Sequence, residues 1–109
     1  MSATVAFHRL ATREFVTVRR WYAGRSPATE SRFVLAIDAT VSRIAANPLA
    51  GSPAAGGCRW LRVRRFPYLL YYAPLGPNEV VVYAVAHASR QLNYWRGRMK
   101  RPWAKSQLH

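Results

Sequence analysis

The residues of this chain that could do chemistry are cations and aromatics, set close together in its second half. Trp60, Arg62 and Arg64 alternate with Leu61 and Val63. In a strand that spacing puts the three on one surface, either as a solvated outer face or as a site. His87, Ser89 and Arg90 form a polar cluster directly after the apolar run Val80 to Ala86. A histidine there is either a hydrogen-bonded boundary residue or a group able to take and give a proton near neutral pH. Further on, Tyr94-Trp95-Arg96-Gly97-Arg98-Met99-Lys100-Arg101-Pro102-Trp103 interleaves rings with cations. That pattern suits single-stranded nucleic acid, through stacking and phosphate contact. The other reading is a basic, solvated tail with Trp95 tucked against the domain, and it is the better reading of Trp95, though Trp103 has less reason to be there.

Charge points the same way. The net charge is +13, unevenly placed: residues 1–57 carry seven arginines against three acids, and residues 58–109 carry ten basic residues against Glu79 alone. Such a balance attracts polyanions, whether nucleic acid, an acidic protein or an anionic membrane surface. Fifteen of the seventeen basic residues are arginine. The guanidinium fork holds phosphate or carboxylate in two bonds, so the bias suits specific contact better than mere solubility.

These groups must be positioned by a small fold. A chain of 109 residues, half of them hydrophobic, is expected to be one domain over residues 1–109, with its core at about 4–98 and a loose basic tail at 99–109. Thr4 to Leu10 alternates like a strand. Ala11, Phe15, Val18 and Tyr22 follow helical spacing, with Gly24 as a stop. Ser26-Pro27 restarts a helix with a capping hydroxyl and a proline at the first helical position. That helix carries Phe33, Ile37, Val41 and Ile44 on one stripe and ends at Asn47-Pro48. Leu49 to Gly57 reads as a loop.

Three strands are expected next: Arg59 to Val63, Pro67 to Ala73 and Val80 to Ala86. Pro74 to Asn78 reads as the turn before the last, with Gly76 free to take a positive φ. The last strand is apolar throughout and so should be central and buried on both faces. In the strand before it, Tyr68, Leu70 and Tyr72 share one face, expected to be core. Leu69 and Tyr71 share the other, where Tyr71 is a candidate for partner contact. Ser89 to Met99 reads as a short helix.

No apolar run is long enough to span a membrane, and Val5-Ala6-Phe7 is broken by His8 and Arg9 before it could form a signal peptide core. The single cysteine, Cys58, supports neither an internal disulfide nor a metal-binding spacing. A cytoplasmic protein without metal or organic cofactor is expected.

The order strand–helix–helix–three strands resembles the RelE/ParE superfamily of toxins from type II toxin–antitoxin modules of the plasmid-stabilisation kind. The residues that carry the resemblance are Trp21-Tyr22, Ser26-Pro27, Arg32-Phe33, Asn47-Pro48, Gly51, Leu61-Arg62-Val63, Phe66-Pro67-Tyr68, Tyr71-Tyr72, the valine strand, Ala86-His87, Arg90 and Tyr94-Trp95. It implies an α+β fold, β-α-α-β-β-β, in which a helical hairpin covers one face of a small mixed sheet and leaves the other concave. It implies growth arrest relieved by a cognate antitoxin, whose acidic segment would cover the basic surface.

The superfamily divides by target. RelE-like members cut mRNA on the ribosome, and ParE-like members poison DNA gyrase. Cutting requires help at the ribose 2′-OH, cations on the phosphate and an acid for the leaving oxygen. The resemblance assigns that set to Arg62, Arg90 and Tyr94, or to Arg96 in place of Tyr94 if no gap is allowed, with His87 as a base in a different arrangement, as in some ribonuclease relatives that use His. Trp60 stands where a RelE-like enzyme has a lysine, and Leu69 where it has an arginine. The missing cations favour gyrase inhibition, with the ribosome-dependent ribonuclease as the alternative. On either reading Trp60, Arg62, Arg64, Tyr71, Arg90, Trp95, Arg96 and Arg98 are the candidates for contact with target or nucleic acid. An inactive binding module is a third possibility.

Overall fold

The computed structural model describes residues 2–90 and 93–99. Strand β1 (Thr4–Phe7) leads into helices α1 (Arg9–Ala23) and α2 (Pro27–Ala46). Strands β2 (Ser52–Pro53), β3 (Arg59–Arg62), β4 (Tyr68–Gly76) and β5 (Glu79–His87) follow, and a 3-10 helix over Tyr94–Met99 comes last. The sheet order is β1-β5-β4-β3-β2, with β1 parallel to β5 and the other pairs antiparallel. The β-α-α-β-β-β order is therefore present, with one addition: the expected loop contributes the two-residue strand β2.

The helix boundaries have local causes. β1 stops at Phe7 because His8 caps α1, its Nδ1 accepting the Leu10 N–H at 3.1 Å. The alternating pattern through Leu10 had hidden this cap. Ser26 caps α2 as expected, its Oγ accepting the Thr29 N–H at 3.3 Å. Gly24 closes α1 at φ −67°, so no left-handed residue is needed there. The stop comes instead from the Ser26-Pro27 start that follows it.

β4 runs through Pro74 to Gly76, and the turn is confined to Pro77 and Asn78. A register irregularity between Pro74 and Gly76 absorbs the proline, which has no N–H to give the ladder. The glycines with positive φ are Gly56 and Gly57, ahead of β3, and not Gly76. Gly51 is required by proximity. A Cβ there would lie 2.7 Å from both the Trp60 carbonyl oxygen and the Tyr72 hydroxyl oxygen. The Gly51 N–H donates to that hydroxyl at 2.9 Å, and the hydroxyl donates to the Pro48 carbonyl at 2.8 Å. This pair of bonds ties the end of α2 to the sheet.

Both sheet faces are buried. The helices cover the first, where Phe33, Ile37, Ile44, Leu70, Tyr72, Val80 and Val82 pack together with Phe66 and Tyr68 at the margin. The second face was expected to be open and concave. It is instead covered by the last 3-10 helix, whose Trp95 stacks near Tyr71 and joins Val81, Tyr83 and Ala84 in one buried cluster. β5 adapts to this with a bulge. Tyr71 faces Ala84 and Tyr72 faces Val82, so Tyr83 is the extra residue and points to the same side as Ala84. Trp95 has no solvent exposure. An aromatic of that size buries about 150–250 Å², which at ~25 cal/mol per Å² bounds its contribution at roughly 4–6 kcal/mol.

Candidate functional site

Three of the residues expected to act on a target, Arg90, Tyr94 and Arg98, gather around one acid that sequence reasoning passed over. Glu14, in α1, points at β5 and the last 3-10 helix. Its Oε1 accepts the Val85 backbone N–H at 3.0 Å and the Arg98 guanidinium at 3.0 Å. Its Oε2 accepts the Tyr94 hydroxyl at 2.6 Å and the second Arg98 nitrogen at 3.1 Å. Arg98 also donates to the Tyr83 carbonyl at 2.7 Å. Arg90 lies over the Tyr94 ring at 3.9 Å, with its Nη1 3.9 Å from Glu14. A carboxylate thus accepts four hydrogen bonds in a partly buried setting, which is where charge-assisted bonds hold best.

This arrangement fixes Tyr94 as a proton holder. Burial is the main cause pushing its phenol well above the ordinary value, and the hydrogen bond to Glu14 and that carboxylate's charge add to it. Arg98 and Arg90 pull the other way. The hydroxyl proton is already committed to Glu14, and an acid so weak transfers it poorly.

The other expected residues are spread out. His87 is exposed at the end of β5. Its Nδ1 accepts the Ser89 N–H at 3.1 Å and lies 2.7 Å from the Ser89 Oγ, while its ring meets Tyr68 edge-on at 5.2 Å. With Arg13, Glu14, Arg90 and Arg98 it borders a hollow of about 410 Å³. Arg62 borders a different hollow of about 540 Å³, together with Arg43, Arg64 and Arg65. The structure therefore brings Arg90, Tyr94 and Arg98 together, sets His87 beside them, and places Arg62 elsewhere.

Two of the expected contact residues lie inside. Tyr71 is 7% exposed and its ring sits 4.8 Å from that of Trp95, which is wholly buried. Tyr71 was a contact candidate because the second sheet face was taken as open, and the last 3-10 helix closes that face; for Trp95 it is the reading in which it tucks against the domain that the structure bears out. Trp60, opposite Tyr71 in the β3–β4 register, is half-buried against the same cluster. Arg64 and Arg96 are exposed. Trp103 lies outside the described residues.

Two features were missed. Glu14 is one of only four acids in the chain, and it falls between Ala11 and Val18 on the apolar stripe of α1. An acid on the inward face of a helix in so basic a protein signals a buried cation partner. Trp21 entered the sequence reading only as one of the residues that carry the family resemblance. It is 53% exposed, with the Arg25 guanidinium 3.9 Å over its ring. Together with Tyr22, Pro67, Tyr68 and His87 it borders a hollow of about 320 Å³ that continues the one beside Arg90.

Among the described residues no group of three or more His, Cys, Asp or Glu could hold a metal ion, and no helix is long and apolar enough to cross a membrane. No curated protein matches the chain in sequence. A solved chain described as the chromosomal ParDE TA system from P. aeruginosa shares its fold, with a TM-score of 0.68 at 21% identity, over 79% of this chain and 96% of that one. The family model for the ParE toxin of the type II toxin–antitoxin system parDE matches residues 5–92, from β1 to just past Arg90. That span takes in the hairpin, the sheet and the acid at its hub, and on it the chain belongs to the ParE toxin family, whose members are paired with an antitoxin.

Proposed function

We propose that this chain arrests bacterial growth by inhibiting DNA gyrase and that it has no ribonuclease chemistry. The observation that carries this reading is the use Glu14 makes of the nuclease candidate Tyr94, together with the contact candidate Arg98. Tyr94 donates its proton to Glu14 at 2.6 Å, and Arg98 is bound to it through both nitrogens. Arg90 is stacked on the Tyr94 ring. A nuclease would need these groups directed at a phosphodiester. Here Tyr94 and Arg98 fasten the last 3-10 helix to α1, while Arg90 stays half-exposed beside them. Trp60 and Leu69 add nothing cationic at the positions where RelE-like enzymes are basic. Loss of one transition-state cation or donor typically costs about 3–4 kcal/mol, or some hundredfold or more in rate, and here two are absent and one is engaged.

On this reading contact with the target falls to exposed groups on and beside α1: Trp21 of the helix itself, then His87 and Arg90, with Arg96 nearby in sequence. Tryptophan and arginine are the residue types that most often dominate binding energy. The acidic antitoxin expected from the charge balance would neutralise the arginine-rich surface on binding. Primer extension on a reporter mRNA in a reconstituted translation mixture tests the proposal. The message should stay intact with the toxin present. Ribosome-dependent cuts that disappear in Arg90→Ala would overturn it.

A further inference from the structure

A second basic site lies away from the Glu14 cluster. Arg43 of α2 and Arg62, Arg64 and Arg65 at the end of β3 surround the hollow of about 540 Å³. All four are exposed, no carboxylate lines the hollow, and among the described residues none of the four is in an ion pair. The chain's ion-paired acids, Glu14 and Glu30, are engaged elsewhere.

The turn that presents two of these arginines is held rigidly. The Phe66 N–H donates to the Val63 carbonyl at 3.1 Å, closing a tight turn with Arg64 and Arg65 at its centre. The Val63 N–H donates to the Tyr68 carbonyl at 2.8 Å. Val63 is fully buried, and Phe66 meets Tyr22 and Phe33 at ring distances of 5.2 Å. Both flanks of the turn are therefore anchored in the core. Arg65 has φ 69°, at the third turn position, where glycine is the usual occupant. A bulky side chain there costs conformational energy, and such cost persists where the surrounding structure enforces it.

We propose that this four-arginine hollow binds the phosphodiester backbone of duplex DNA. Guanidinium groups converging from two elements suit phosphate. The remaining lining, Ala36, Ala39 and Thr40, offers no large apolar pocket to anchor a peptide. It also has no aromatic ring on which an unpaired base could stack, which sets a duplex above a single strand. The inference stands apart from the gyrase reading, since its lining shares no residue with the hollow beside Glu14 and it is measured without gyrase.

The test is fluorescence anisotropy of the full chain with a short random-sequence DNA duplex over a range of salt concentrations. Arg43→Ala/Arg64→Ala should weaken binding on the order of tenfold and make the slope of log affinity against log salt shallower by about two. Arg9→Ala/Arg20→Ala, with the same net charge removed from α1, should lose clearly less. Arg65→Gly should weaken DNA binding without lowering the melting temperature, because glycine relieves the backbone at that position. Equal losses in the two double variants would overturn the proposal in favour of diffuse charge attraction. So would tighter binding to a single strand of the same sequence. Displacement of the duplex by polyglutamate at equal charge would overturn it too, and would assign the hollow to an acidic protein.

Discussion

Arg98 holds Glu14 through two nitrogens, at 3.0 and 3.1 Å, and so ties the end of the described chain to its first helix. The pair spans the boundary between the two cores. α1 lies over the first sheet face, while the 3-10 helix carrying Arg98 also carries Trp95 onto the second. The cluster therefore does more for architecture than the surface pair Arg19–Glu30, at 2.8 Å and half-exposed, which is worth about 0–1 kcal/mol.

Glu14→Gln should be among the more damaging single substitutions outside the apolar cores. It removes the negative charge and leaves Arg98, whose side chain is 13% exposed, without its counter-ion. A fully buried broken pair costs about 3–5 kcal/mol, and the residual exposure here reduces the expectation to about 2 kcal/mol. Urea unfolding checks this through a lower midpoint at unchanged slope.

Tyr94→Phe should cost only about 1 kcal/mol, the net value of a hydrogen bond, and should leave growth arrest intact. Its effect on alkaline stability is more specific. The folded phenol is raised above its ordinary value, so its contribution is fully present below about pH 10 and is lost as the pH rises through the folded value. Stability measured against pH should therefore fall less steeply above pH 10 in the variant than in the wild type.

Trp95→Ala should cost about 3–5 kcal/mol, as for other buried large aromatics. Trp95→Phe should cost far less than its lost area suggests. The indole Nε1 is buried without a hydrogen-bond partner among the described residues, and removing an unsatisfied donor offsets part of the lost packing. Thermal melts of the two variants separate these effects.

The Cys58 thiol should resist alkylation in the native protein. It is 2% exposed, and burial pushes its pKa up to about 11, so little thiolate forms at neutral pH. Iodoacetamide labelling followed by mass spectrometry should show slow modification that accelerates on unfolding.

The fold was legible where local rules act alone. The Ser26-Pro27 start, the Asn47-Pro48 stop and the doubly buried β5 each follow from short-range chemistry, and each is present. The helix-facing set Tyr68, Leu70 and Tyr72 was legible from alternation. What failed depends on contacts between distant parts of the chain. Nothing local to Tyr71 shows that Trp95, far along the chain, will cover it. Nothing local to Tyr94 shows that an acid in α1 will take its proton. His8 was misread for the opposite reason: strand alternation and helix capping meet at one residue, and the cap won.

The toxin inhibits gyrase, on the reading proposed above, with Arg98 and Tyr94 serving as fastening. A supercoiling assay with purified gyrase and relaxed plasmid tests it most directly. Addition of the toxin should block supercoiling, and the cognate antitoxin should restore it. Undiminished supercoiling at a molar excess of toxin that still arrests growth in cells would contradict the account.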